Sequence, residues 1–220
     1  MDIDTLRGEI CRVGRSLFER GYVHSTAGNI SVRLPSDQGG GFLITPTDAC
    51  LGFLRPDALA QVDETGVQLS GERASKTLML HRRIYAADDQ ARCVIHTHST
   101  HLVALTLQGV WRAQDILPPI TPYYAMKVGH VPQIPYHRPG DPAAAELVAQ
   151  RIRAARAAGR PIGAVLMERL GPNVWHRSLA EASATLEELE ETARLWLMTA
   201  AAPLDEARLD ELRRLSAARW

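Results

Sequence analysis

Two strand–turn–strand patterns precede residue 70, and they limit the possible folds of this chain more than any other feature. Ile30 to Leu34 and Phe42 to Ile44 read as strands, and Ser36-Asp37-Gln38-Gly39-Gly40-Gly41 between them supplies the turn. Gln61-Val62 and Val67-Gln68-Leu69 flank Asp63-Glu64-Thr65-Gly66 in the same way. Strands that come in pairs ahead of the helices predict a largely antiparallel sheet flanked by helices rather than a doubly wound one.

The remaining elements follow from periodicity and caps. Asp4 caps a predicted helix carrying Leu6, Ile10, Val13 and Leu17, and Gly21 stops it. A second helix is predicted over Ala74 to Tyr85. Cys93-Val94-Ile95-His96 suits a buried strand, and Ser99 or Thr100 opens a helix carrying Leu102 and Leu105. Val128 to Ile134 reads as a strand at an edge or bulge, because it contains Pro132. Ala143 to Ala157 is helical, Ala164 to Met167 a strand, and Ser178 to Ala200 a long helix opened by a capping box at Ser178 and Glu181. Asp205 to Ala217 closes the chain as a short helix. A length of 220 residues suits one domain over 1–220 with a sizeable core.

With 25 basic and 25 acidic residues, the chain lacks the electrostatic footprint of a nucleic-acid or membrane-surface binder. A small-molecule ligand or a protein partner is expected instead. Met1-Asp2-Ile3-Asp4 is acidic where a secretory signal is basic, and no apolar stretch reaches the length of about 18 residues that a membrane span requires. Cys11, Cys50 and Cys93 are odd in number and far apart, which fits reduced thiols and a cytoplasmic protein.

His96-Thr97-His98 is the sharpest chemical signal, since residues two apart on a strand share a face and two imidazoles can converge on one ion. Ordinary hydrogen-bonded histidines are the other reading; His101 follows on the next turn. Ala27-Gly28-Asn29-Ile30-Ser31 suits either an anion-binding turn or a tight turn entering a strand. Thr45-Pro46-Thr47 adds hydroxyls. Ser75 and Lys76 stand where the second helix is predicted to begin, either around an anion or as an exposed cap.

Taken in order, Gly28-Asn29-Ile30-Ser31, Ile44-Thr45-Pro46-Thr47, Ser75-Lys76 with His81, and His96-Thr97-His98-Ser99-Thr100-His101 resemble the class II aldolase and adducin family. Leu117 to Tyr124, Pro135 to Asp141 and Glu187 to Ala193 look most like its 3-oxo-tetronate 4-phosphate decarboxylase branch. The resemblance implies a three-layer α/β/α fold with a mainly antiparallel central sheet, and a homotetramer with active sites between subunits. It also implies a zinc or similar divalent ion, held by three histidines, that binds the oxygens of an enediolate, with a glutamate as acid or base. His96 and His98 match two metal ligands. Gly28, Asn29, Thr47 and Ser75 match the phosphate cradle, with Lys76 beside it.

Two positions depart from that pattern. Thr77 stands where the family glutamate would be, and a threonine hydroxyl is not a general base near neutral pH without an activating partner. Leu170, in Arg169-Leu170-Gly171-Pro172, replaces the third histidine and cannot bind a metal, so zinc is held weakly or not at all unless another donor substitutes. Asp48, Glu168, His24, His130 and His137 are the candidates, with His24 and Asp48 nearest in sequence to the expected pocket. Asp48 also repels a phosphate dianion unless Lys76 or Arg73 offsets it. Arg169 and Glu168 form either a remodelled pocket or a surface pair.

The expected activity is decarboxylation or cleavage of a 3-oxo or hydroxy sugar acid, in which Lys76, Thr77 and Tyr124 act chemically and Gly28, Asn29, Thr47, Asp48, Ser75 and Arg169 bind substrate. Loss of carbon dioxide creates the enolate without prior deprotonation, so it survives the missing glutamate better than aldol cleavage, with Tyr123, Tyr124 or water returning the proton. A diverged enzyme and a non-catalytic homologue are the alternatives. Trp196 and Trp220 serve subunit contacts or packing within the chain.

Overall fold

A computed structural model describes residues 2–216 and 218–220 of the chain. From edge to edge its eight-stranded sheet runs Gln68–Ser70 (β4), Ala60–Val62 (β3), Phe42–Ile44 (β2), Asn29–Arg33 (β1), Cys93–His96 (β5), Gly171–His176 (β8), Ala164–Met167 (β7) and Gln133–Ile134 (β6). Every neighbouring pair is antiparallel except β6 with β7. The expected antiparallel sheet is therefore present, and both early hairpins form at its β4 edge.

Helices cover both faces. Ile3–Glu19 (α1), Thr100–Gln108 (α3) and Leu179–Thr199 (α5) lie on one side, burying Ile10, Leu17, Leu102 and Leu189 against Ile30, Ile95 and Val174. Leu78–Ala87 (α2) and Pro142–Ala157 (α4) lie on the other, where Ile84, Val148 and Ile152 meet Val94, Val165 and Trp175. Alternating residues of each central strand thus enter different cores, and the fold is the expected three-layer α/β/α arrangement. Glu206–Ser216 (α6) packs on a π-turn at Tyr124–Val128.

Several boundaries differ from the sequence expectation for identifiable reasons. Asp2 rather than Asp4 caps α1, accepting from Thr5 N at 2.8 Å; Asp4 sits inside the first turn. The second helix starts at Leu78 instead of Ala74, because Ala74 bridges Pro46 and Ser75 N donates to Thr45 O at 3.2 Å, holding this segment extended beside the strand end. Of Val128 to Ile134 only Gln133–Ile134 is strand, since Val128 closes the π-turn. The capping box at Ser178 forms as expected, with Glu181 N donating to Ser178 Oγ at 3.2 Å. The last helix ends at Ser216, and Ala217, the predicted end, lies outside the described residues. Cys11, Cys50 and Cys93 are free. Among the described residues no helix is long and apolar enough to cross a membrane.

Candidate active site

Three polar residues stand abreast at one end of the central strands. Asn29 opens β1, His96 closes β5 and Asn173 lies in β8, with Cα pairings Asn29 to His96 and His96 to Asn173. Directly opposed residues share a face, here the face covered by α2 and α4. All three side chains are buried. Below them Ser31 Oγ lies 2.7 Å from His81 Nδ1 and 2.8 Å from Tyr85 Oη, tying the sheet to α2.

His96 has one ring nitrogen committed. Its Nδ1 is 2.8 Å from the Pro172 carbonyl oxygen, so Nδ1–H donates and Nε2 keeps its lone pair. Burial, followed by the nearby His98, pushes its pKa down to about 3. His98 follows just beyond the strand, half-buried, with its ring edge-on to His96 at a centroid separation of 5.0 Å. Burial and His24 lower its pKa too. Both imidazoles are thus neutral near pH 7.

The residues read as an anion cradle also come together. Ile30 N donates to Thr45 Oγ1 at 3.2 Å, Thr45 N to Ile30 O at 3.0 Å, and Thr47 N to Arg73 O at 2.8 Å. These bonds and the Pro46–Ala74 bridge align the segments bearing Gly28-Asn29, Thr47 and Ser75. Gly28 is required there: at φ +85° its Cβ would meet the His96 carbonyl oxygen at 2.8 Å. Ser75 Oγ and Thr77 Oγ1 are 2.9 Å apart, and Lys76 is exposed. Because the helix begins at Leu78, Ser75 and Lys76 precede its first turn instead of forming it. Asp48, at φ +57°, and Arg169, at φ +61°, are exposed loop residues; Arg169 Nε is 3.9 Å from Glu168.

One expected catalytic residue is misplaced. Tyr124 is fully buried in the core on the opposite face, its ring 5.9 Å from Trp220 and its hydroxyl without a protein partner. Burial raises its pKa, so it stays a neutral phenol enclosed by protein and is not presented to a ligand. Tyr123 beside it is exposed.

These observations, with the order of the sequence motifs, can be set beside known proteins. The sequence profile for the class II aldolase and adducin N-terminal domain matches residues 8–197. The chain belongs to the class II aldolase and adducin family. The 3-oxo-tetronate 4-phosphate decarboxylase of Cupriavidus necator is 56% identical, over 98% of this chain and 97% of that protein. The Escherichia coli protein of the same name is 41% identical, over 87% of this chain and 85% of its own length. Among solved structures, YgbL of Escherichia coli superposes with a TM-score of 0.86 at 39% identity, covering 96% of this chain and 99% of that one. The L-fuculose-1-phosphate aldolase of Thermus thermophilus gives 0.74 at 28%, covering 91% and 98%.

Class II aldolase family members generally use a divalent metal, and the donor set here does not fit that centre. Leu170, in the position of the third histidine, packs on the apolar cluster of the α2 and α4 face. Among the described residues no three His, Cys, Asp or Glu side chains converge to hold an ion. Glu168 accepts from Tyr136 N at 3.0 Å, His130 is 2.7 Å from Asp115, and His137 Nδ1 is 2.7 Å from the Pro135 carbonyl oxygen. Those three candidate ligands are engaged elsewhere. The exposed His24 influences His98 without completing a ligand set.

Sequence reasoning missed Asn173, because Gly171-Pro172 reads as a turn and hides β8. The alternation of Asn173, Val174 and Trp175 was its only signal. Asn29 Oδ1, His81 Nε2 and Asn173 Oδ1 are all buried without a protein partner, which makes this end of the sheet the polar breach in the α2 and α4 core. A cavity of about 620 Å³ lies at the far end of β5 and β8, beside Trp175, His176 and Arg177, remote from the histidine pair.

Proposed function

We propose that this protein is a decarboxylating lyase acting on a phosphorylated 3-oxo sugar acid of the 3-oxo-tetronate 4-phosphate class. The observation that carries this reading is the 56% identity to a protein of that name over nearly the full length of both chains.

The chemistry of the site supports it. In a 3-oxo acid the bond from the carboxylate carbon to C2 breaks, its electron pair enters the C2–C3 enolate, and carbon dioxide leaves. No base removes a proton first, so Thr77 in place of a carboxylate does not block the step. Thr77 instead shares a hydrogen bond with Ser75, which orients the hydroxyl of Ser75 for substrate. Asn29, Thr47 and Ser75 would bind the phosphate, Gly28 allowing the backbone to approach. The Lys76 ammonium offsets Asp48 and supplies the cation for the developing oxyanion. Arg169 would take the departing carboxylate, where its planar fork matches two oxygens. Zinc would find only His96 and His98 here, so no step is routed through it.

In this reading residues 1–220 form one domain, the protein acts in the cytoplasm, and a homotetramer encloses a site that one protomer leaves open. The test supplies 3-oxo-tetronate 4-phosphate to purified protein and follows carbon dioxide release. Release that falls about 100-fold or more in Asn29→Ala is expected; a parent protein that releases none would remove the proposal.

A further inference from the structure

Positive charge from separate parts of the chain lines the cavity at the far end of β5 and β8. Arg160 follows α4, Arg177 follows β8, and Arg219 lies beyond α6. All three are exposed, and among the described residues none of them is in an ion pair. Asp88 is the carboxylate on the cavity wall, and it is already engaged. Trp175 Nε1–H donates to its Oδ2 at 3.1 Å, and Arg156 pairs with it, and with Asp89 at 2.8 Å. Asp115 lies 2.7 Å from His130 and Glu181 3.9 Å from His176, but neither carboxylate lines the cavity that these histidines border. Four arginines therefore face this space against one aspartate. Their mutual repulsion favours the entry of an anion.

The end of α4 borders the same space, and the free carbonyls of a helix C-terminus would oppose an anion. Here they are capped. The carbonyls of Ala154, Ala155 and Arg156 accept from Ala158 N, Arg160 N and Gly159 N, each at 3.0 Å. Size narrows the ligand further. About 620 Å³ falls within the range of roughly 300–1,000 Å³ for small-molecule sites and is more than a lone inorganic ion fills. Pro161, Ile162 and Trp220 add apolar wall for an organic body. Guanidinium groups present paired donors that match phosphate oxygens. Asn173 stands at the candidate active site and His176 at this cavity, so roughly 10 Å of β8 separates the two places.

We propose that this cavity is a second ligand site, in which Arg160, Arg177 and Arg219 hold the phosphate of a phosphorylated small molecule whose body lies along Pro161, Ile162 and Trp220. Arg156 stays with Asp88 and Asp89 and shapes the wall. The inference does not depend on the decarboxylase reading, because it concerns binding at the other end of the strands.

The experiment titrates pyrophosphate, the probe, into full-length protein by calorimetry at low ionic strength. All variants carry Asn29→Ala and Ser75→Ala, so that the candidate active site does not contribute. That background is expected to bind about one pyrophosphate per chain. Adding Arg160→Gln, Arg177→Gln and Arg219→Gln should weaken binding at least about 10-fold. Adding Arg15→Gln, Arg151→Gln and Arg208→Gln, which change the net charge equally at exposed arginines away from the cavity, should leave it within about twofold. Absence of saturable binding in the background protein would overturn the proposal. So would equal affinity in the cavity variant, or an equal loss in the control. Citrate binding more tightly than pyrophosphate would overturn the choice of phosphate. If the triple cavity variant does not fold, Arg160→Gln and Arg177→Gln are tested singly, each with an expected loss of about threefold; no loss in either would count against the site in the same way.

Discussion

His96 and His98 present two neutral imidazoles, whereas a catalytic zinc site normally has three protein ligands. Leu170 and Thr77 occupy the positions that would complete it. The double variant Thr77→Glu, Leu170→His is therefore expected to retain about one zinc per chain after dialysis, against much less for the parent. Elemental analysis reads the result, with His96→Ala added as the control. Equal zinc in parent and double variant would show that something other than ligand number limits binding. A second test concerns Ser31, which serves both His81 and Tyr85 inside the core. Ser31→Ala leaves two buried polar groups short of a partner and should cost about 1–3 kcal/mol in urea unfolding. A loss below about 0.5 kcal/mol would mean that neither bond matters to stability. The histidine pair, the Gly28-Asn29 turn, Thr47 and Ser75 were legible from sequence because each belongs to a short local motif. Asn173 was not, because its place in the site depends on pairing with His96 of β5, far away in the chain.

Strands Phe42–Ile44, Cys93–His96 and Ala164–Met167 could be read directly as short apolar runs bounded by turn residues. β8 could not, because its first residues, Gly171 and Pro172, are the usual markers of a break. Their purpose is visible in three dimensions. Gly171, at φ +120°, brings its backbone so near Thr97 that an added Cβ would lie 2.1 Å from that carbonyl oxygen. Pro172, which has no N–H to satisfy, offers its carbonyl to His96 Nδ1 at 2.8 Å. Gly171→Ala should therefore destabilise by at least about 2 kcal/mol, combining backbone strain with a backbone clash. Gly8→Ala makes the contrast, because Gly8 lies exposed within α1 with nothing within 4 Å of its Cβ. That change should add roughly 0.5–1 kcal/mol through helix propensity. Urea midpoints moving in the same direction for both variants would contradict this account of β8. The late start of α2 has a similar non-local cause in the Pro46–Ala74 bridge, which no helical periodicity could reveal.

Across the whole molecule, a histidine of α2 and a histidine of β8 stand in two enclosed regions, and both couple folding to pH. Burial lowers His81 to about 3 between the sheet and α2, and burial first, then Arg219, lowers His176 to about 4 at the other end of β8. His176 Nε2 also lies 3.0 Å from Thr185 Oγ1 of α5. In the unfolded chain both rings titrate near the ordinary histidine value of about 6.5. A base with a depressed folded pKa binds fewer protons folded than unfolded, so its neutral form favours folding above pH 6.5 and acid erodes that advantage. Below about pH 6.5 and down to about pH 4, each ring should reduce stability by up to about 1.4 kcal/mol per unit fall in pH. Together with His96, which burial depresses equally, they should give a slope of up to about 4 kcal/mol per unit, while between pH 7 and 8 none contributes. Urea unfolding at half-unit intervals from pH 8 to 4.5 measures it. His176→Gln keeps an amide for Thr185 and removes one titrating ring, so its stability curve should be shallower in acid by about 1.4 kcal/mol per unit. If the variant's acid slope matches the parent's, His176 is already protonated in the folded state and the enclosure described at that end of the sheet is wrong.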